Sequence, residues 1–118
     1  MKTKHAILVK PERFEIEETE ISPAKDQILA KVAACGLCNH ELNHWKGILG
    51  TCPMTLGHEW TGTVVEAGAD VKNFKPGDRI TVFPEVKRDG FSEYAVIHYN
   101  HCAKVSPNID IVMLLPNP

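Results

Sequence analysis

The sequence lacks long apolar runs, a dominant charge and a phosphate-cradling glycine motif, and each absence removes a class of function. Its longest uninterrupted apolar stretch is the five residues Ile111 to Leu115, whereas a helix crossing a bilayer needs about 20. Near the N-terminus only Ala6 to Val9 run apolar without a break, too few for a secretory signal core. The reading is therefore a cytoplasmic protein with no membrane partner. Thirteen basic and fifteen acidic side chains leave a formal charge of -2, so no field draws the chain to nucleic acid. No two of the eight glycines are two residues apart, which excludes the G-x-G-x-x-G turn of a dinucleotide-binding unit.

What remains is a chain of 118 residues with 43% hydrophobic and 24% charged content, enough to fold one globular domain. Short β-branched or aromatic runs, at residues 14–21, 28–34, 61–67, 79–83 and 93–98, alternate with turn-forming clusters and predict strands. The sharpest turn signal is Asn73-Phe74-Lys75-Pro76-Gly77-Asp78. There proline fixes its own φ, glycine supplies a positive one, and a strand should follow. Strands at such short intervals favour a barrel or sandwich over a wound parallel sheet. The one helical stretch expected is 39–45, which Gly47, Gly50 and Pro53 prevent from extending.

The chemistry concentrates between Cys35 and Glu59, where two further cysteines, three histidines and two acidic residues gather. Thiolate and imidazole are the preferred zinc donors, and three arrangements compete. Cys35-Gly36-Leu37-Cys38 is half of a structural zinc site or a redox pair. However, the later candidates, Cys52, His98, His101 and Cys102, stand at no zinc-finger spacing, and a thioredoxin-like βαβ context is missing. His40-Glu41-Leu42-Asn43-His44 spells H-E-x-x-H, in which two histidines one helical turn apart hold zinc and the glutamate acts as base of a hydrolase. The third arrangement draws on two strand ends. Cys38 closes the strand 28–34 through a Gly-x-Cys turn, Gly57-His58-Glu59 opens the next, and an ion between them would be held from both sides.

The third arrangement brings a resemblance with it. Val32 to Cys38, Pro53-Met54-Thr55-Leu56-Gly57-His58-Glu59-Trp60-Thr61-Gly62, Val64 to Gly68, Phe74 to Ile80 and Gly90 to Ala95 follow one another as in the zinc-dependent medium-chain alcohol and polyol dehydrogenases. Specifically, the chain resembles their N-terminal GroES-like catalytic domain over about residues 5–108. The resemblance implies a mainly β fold, a partly open GroES-like barrel with one or two short helices. It implies a domain at 1–108 and an apolar tail at 109–118, where the nucleotide-binding Rossmann domain of the family would normally begin.

The resemblance also implies a site. Cys38, His58 and Glu59 become zinc ligands, Glu41 steadies the ligand histidine where the family has an aspartate, and His40 takes the place of the serine or threonine that starts a proton relay. Asn43 replaces a histidine common in the family. Zinc would polarise the oxygen of a small alcohol or polyol, and NAD(P) would belong only to a full-length enzyme. One zinc is expected and no structural second one, because the four-cysteine lobe that many members insert between Val82 and Gly90 is missing. Two other functions stay open. One is a non-enzymatic, self-associating or engineered zinc-binding module, whose homo-oligomer would form through Ile109 to Leu115. The other is the hydrolase of His40, Glu41 and His44.

Overall fold

A computed structural model describes residues 1–37, 39–83, 90–106 and 108, with the backbone but not the side chain of His40. Among the described residues eight strands and one α-helix follow in the order β1 (Lys2–Lys10), β2 (Arg13–Glu20), β3 (Gln27–Cys35), α1 (Asn39–Trp45), β4 (Met54–Thr55), β5 (Trp60–Ala67), β6 (Arg79–Val82), β7 (Tyr94–His98) and β8 (Cys102–Val105). They form a three-stranded sheet, β2-β1-β4, and a five-stranded sheet, β7-β3-β5-β6-β8. Every pairing is antiparallel.

The five-stranded sheet has to curl. Its edges are β7 and β8, yet only the 3₁₀ turn Tyr99–His101 joins them. Flat, the two edges would lie roughly 19 Å apart at about 4.8 Å per strand, while the four Cα steps from His98 to Cys102 reach at most about 14 Å. Curvature closes the gap and gives the partly open barrel. Its interior follows the two-residue period of strands. Ile28 and Ala30 of β3, Trp60 and Val64 of β5, Ile80 and Val82 of β6, and Ala95 and Ile97 of β7 pack into one buried cluster with Cys102. The short sheet is stitched to this barrel by Ala6 N–H donating to Phe91 O at 2.8 Å and Glu93 N–H to Lys4 O at 3.0 Å.

The turn before β6 forms as its residues demand. Gly77 takes a φ of 95°, the Asp78 carboxylate accepts from Lys75 N–H at 2.9 Å, and β6 starts at the next residue. That acceptor role, opposed by partial desolvation and aided by the Lys104 ammonium, holds the Asp78 carboxyl below its usual range.

Helix α1 occupies the range expected for it and turns a polar face inward. Leu42 is exposed, whereas Glu41 and His44 are buried. Two polar residues occupy the inner face because each meets a polar partner there. No helix among the described residues is long and apolar enough to cross a membrane. The apolar tail from 109 and the segment 84–89, on which the self-association and missing-lobe expectations rest, lie outside the described residues.

Candidate functional site

The site grows from the end of the β3/β5 ladder. Cys35 pairs with Trp60, and one step further Gly36 N–H donates to Glu59 O at 2.6 Å. This brings the turn leaving β3 against the segment entering β5, which is the convergence of strand ends expected from the sequence. The approach on the other side depends on glycine. Gly57 has a φ of 97°, and a Cβ there would lie 2.8 to 2.9 Å from the backbone of Gly90, which donates its N–H to Gly57 O at 2.9 Å. With no side chain on either residue, the backbone just before His58 packs directly against the segment leading to β7.

His58 projects from this junction between two carboxylates. Its Nδ1 lies 2.6 Å from Glu41 Oε1 and its Nε2 lies 3.3 Å from Glu59 Oε1. The first contact is a short, charge-assisted hydrogen bond in which Nδ1–H donates, and Glu41 also accepts from the backbone N–H of His58 at 3.4 Å. Glu41 is 2% exposed and His58 8%, so the ring is clamped in a nearly dry place. With the Nδ1 proton committed to Glu41, a neutral ring turns its Nε2 lone pair toward the Glu59 carboxylate. Two acceptors facing each other at 3.3 Å repel unless a proton or a cation sits with them. A carboxylate that fixes an imidazole from behind through its Nδ1–H is an arrangement also used to orient histidines that hold a metal.

Glu41, His58 and Glu59, expected at one site, are thus brought together. Cys38 and the side chain of His40 lie outside the described residues. Among the described residues no group of three or more histidine, cysteine or carboxylate side chains forms a metal cluster. His44, the last residue of the H-E-x-x-H pattern, is used differently. Its Nδ1 is 3.1 Å from Leu49 O, tying the helix to the loop that follows, while Glu41 is directed at His58. The remaining described cysteines, Cys35, Cys52 and Cys102, form no disulfide. Cys102 packs in the barrel core, where burial pushes its thiol up to about 11.

Sequence reasoning missed one feature of the site. Phe14, Leu37, Leu42, Trp45, Leu56 and Phe91 line an almost wholly apolar cavity of about 250 Å³, with Glu41 in its wall. The residues come from five separate parts of the chain.

Known proteins resemble this chain in both sequence and shape. The model of the alcohol dehydrogenase GroES-like domain matches residues 24–107. An uncharacterized zinc-type alcohol dehydrogenase-like protein of Escherichia coli is 35% identical over 125 residues, covering 99% of this chain and 35% of that protein. Human sorbitol dehydrogenase is 34% identical over 92 residues, covering 74% of this chain and 25% of the enzyme. Among solved structures, an E. coli oxidoreductase/dehydrogenase of unknown specificity superposes with a TM-score of 0.85 at 26% identity, over 95% of this chain and 42% of that one. The chain thus spans about a third or less of these curated relatives. The family match across more than half of its length makes this chain a member of the alcohol dehydrogenase GroES-like domain family.

Proposed function

We propose that this chain is the metal-holding domain of a zinc-dependent alcohol or polyol dehydrogenase, with Cys38, His58 and Glu59 as the ligands. The observation that carries the reading is the Glu41–His58–Glu59 line, in which the imidazole donates backward at 2.6 Å and presents Nε2 to a second carboxylate. A thiolate, an imidazole nitrogen and a carboxylate are a donor set that suits zinc. When bound there, zinc supplies Lewis acidity toward a substrate oxygen.

The protein's own groups have distinct parts in this scheme. Glu41 holds the His58 ring in one tautomer and one orientation. Glu59, whose carboxylate lies 3.3 Å from His58 Nε2, would balance the charge of an ion held there. By the resemblance, His40 stands at the sequence position of the family's relay serine or threonine, and imidazole is suited to accept and pass on a proton near neutral pH. The substrate class is a small alcohol or polyol, in keeping with the names of the relatives. Hydride transfer would need NAD(P) as the acceptor.

Metal analysis of the purified protein tests the reading. One zinc per chain should survive dialysis, be lost on His58→Ala and be kept on His44→Ala. Loss on His44→Ala with retention on His58→Ala would transfer the site to the H-E-x-x-H pattern and overturn the proposal.

A further inference from the structure

The place where Glu59 lies is set from across the ladder. Continuing the β3/β5 register one step past Cys35 and Trp60 makes Gly36 the cross-strand neighbour of Glu59, and their backbones are joined by the 2.6 Å bond from Gly36 N–H to Glu59 O. Cross-strand Cβ atoms ordinarily stand about 4.5 to 5.5 Å apart. Here a Cβ on Gly36 would be 3.5 Å from Glu59 Cβ, 3.6 Å from Glu59 O and 3.0 Å from Glu59 Oε2. The carboxylate is therefore folded over the bare backbone of Gly36, and in that position its other oxygen reaches 3.3 Å from His58 Nε2. Gly36 does not have the positive φ of Gly57, so what its lack of a side chain provides is space.

We infer that Gly36 is a positioning residue for the metal centre, holding the Glu59 carboxylate toward His58 Nε2 by leaving open the volume that a cross-strand side chain would fill. The inference rests on the zinc reading above and adds a determinant outside the ligand set. The atom a methyl group would crowd is the far end of a flexible side chain, so the barrel can accept alanine at this position while the carboxylate has to move. The effect should appear in metal affinity and not in folding.

The test compares wild type, Gly36→Ala, Glu59→Ala and the double variant by zinc titration against a competing chelator, with thermal unfolding of the metal-free proteins alongside. Gly36→Ala should weaken zinc binding about tenfold, the lower end of what displaced supporting groups cost, and leave the metal-free melting temperature near wild type. In the Glu59→Ala background the same substitution should change affinity less than twofold. A metal-free crystal structure of Gly36→Ala should show Glu59 Oε1 further from His58 Nε2 than 3.3 Å. Unchanged zinc affinity in Gly36→Ala, an equal loss in both backgrounds, or an unmoved carboxylate would each overturn the inference. A wild-type protein that takes up no zinc would overturn the functional reading itself, which separates the two failures.

Discussion

Glu41→Ala is the most exacting perturbation of the site, because it removes the group behind His58 without touching any ligand. The imidazole would lose a 2.6 Å charge-assisted bond and the backbone N–H of His58 would lose its 3.4 Å acceptor, in a region where His58 is only 8% exposed. A hydrogen bond to a charged group contributes about 1.5 to 3 kcal/mol, but the variant also removes a buried carboxylate whose desolvation opposes folding. The net loss of metal-free stability should be about 1 to 2 kcal/mol, measured by urea unfolding followed through the fluorescence of buried Trp60. Zinc affinity gains nothing from that offset. Freed from Glu41, the ring can rotate or put its proton on Nε2, and affinity should fall about 10- to 100-fold. Glu41→Gln keeps an acceptor of the same shape, so it should recover most of the stability and only part of the affinity. If Glu41→Ala and Glu41→Gln both bind zinc within about twofold of wild type, the clamp has no role in metal binding and the reasoning fails.

Other consequences follow from the same geometry. Gly90→Ala would place a Cβ 2.6 Å from Cys35 Sγ and 2.8 Å from Gly57 O, and such overpacking should cost about 1 to 3 kcal/mol in a denaturation experiment; a wild-type midpoint would contradict the close approach. Asp78 has its carboxyl held below 3.8, so it stabilises the fold fully above that pH and the contribution disappears as pH falls through the lower folded value. Asp78→Asn should therefore flatten the acid limb of a stability–pH curve below about pH 4. Cys102 behaves in the opposite sense. With its thiol raised from 9.0 to about 11, it contributes stability below pH 9 that is lost as pH climbs between those values, and it should resist alkylation at pH 8 until the protein unfolds.

Much of the fold was legible because its strands are β-branched or aromatic runs bounded by turn-forming clusters. The runs at 14–21, 28–34, 61–67, 79–83 and 93–98 fall within one residue of β2, β3, β5, β6 and β7 at either end, and helix α1 occupies the expected range. Strands β1, β4 and β8 escaped. Lys2, Lys4 and Lys10 interrupt the apolar pattern of β1, β4 is two residues long, and β8 has only four residues, with Lys104 among them. Each is placed by partners distant in sequence, as in the Lys2–Glu20 and Arg79–Val105 pairings. Glu41, His58 and Glu59 were legible as a site through the family motif, not through local pattern. Glu41 and His44 turn inward while Leu42 is exposed, an orientation explained by their partners His58 and the Leu49 carbonyl.

The most direct measurement is an anomalous-scattering map recorded at the zinc absorption edge from crystals of the purified protein. The proposed function predicts one peak per chain, bonded to His58 Nε2 and enclosed by Glu59 and Cys38, with Glu41 retaining its bond to Nδ1. No peak at His58, or a peak held instead by His40 and His44, would contradict it.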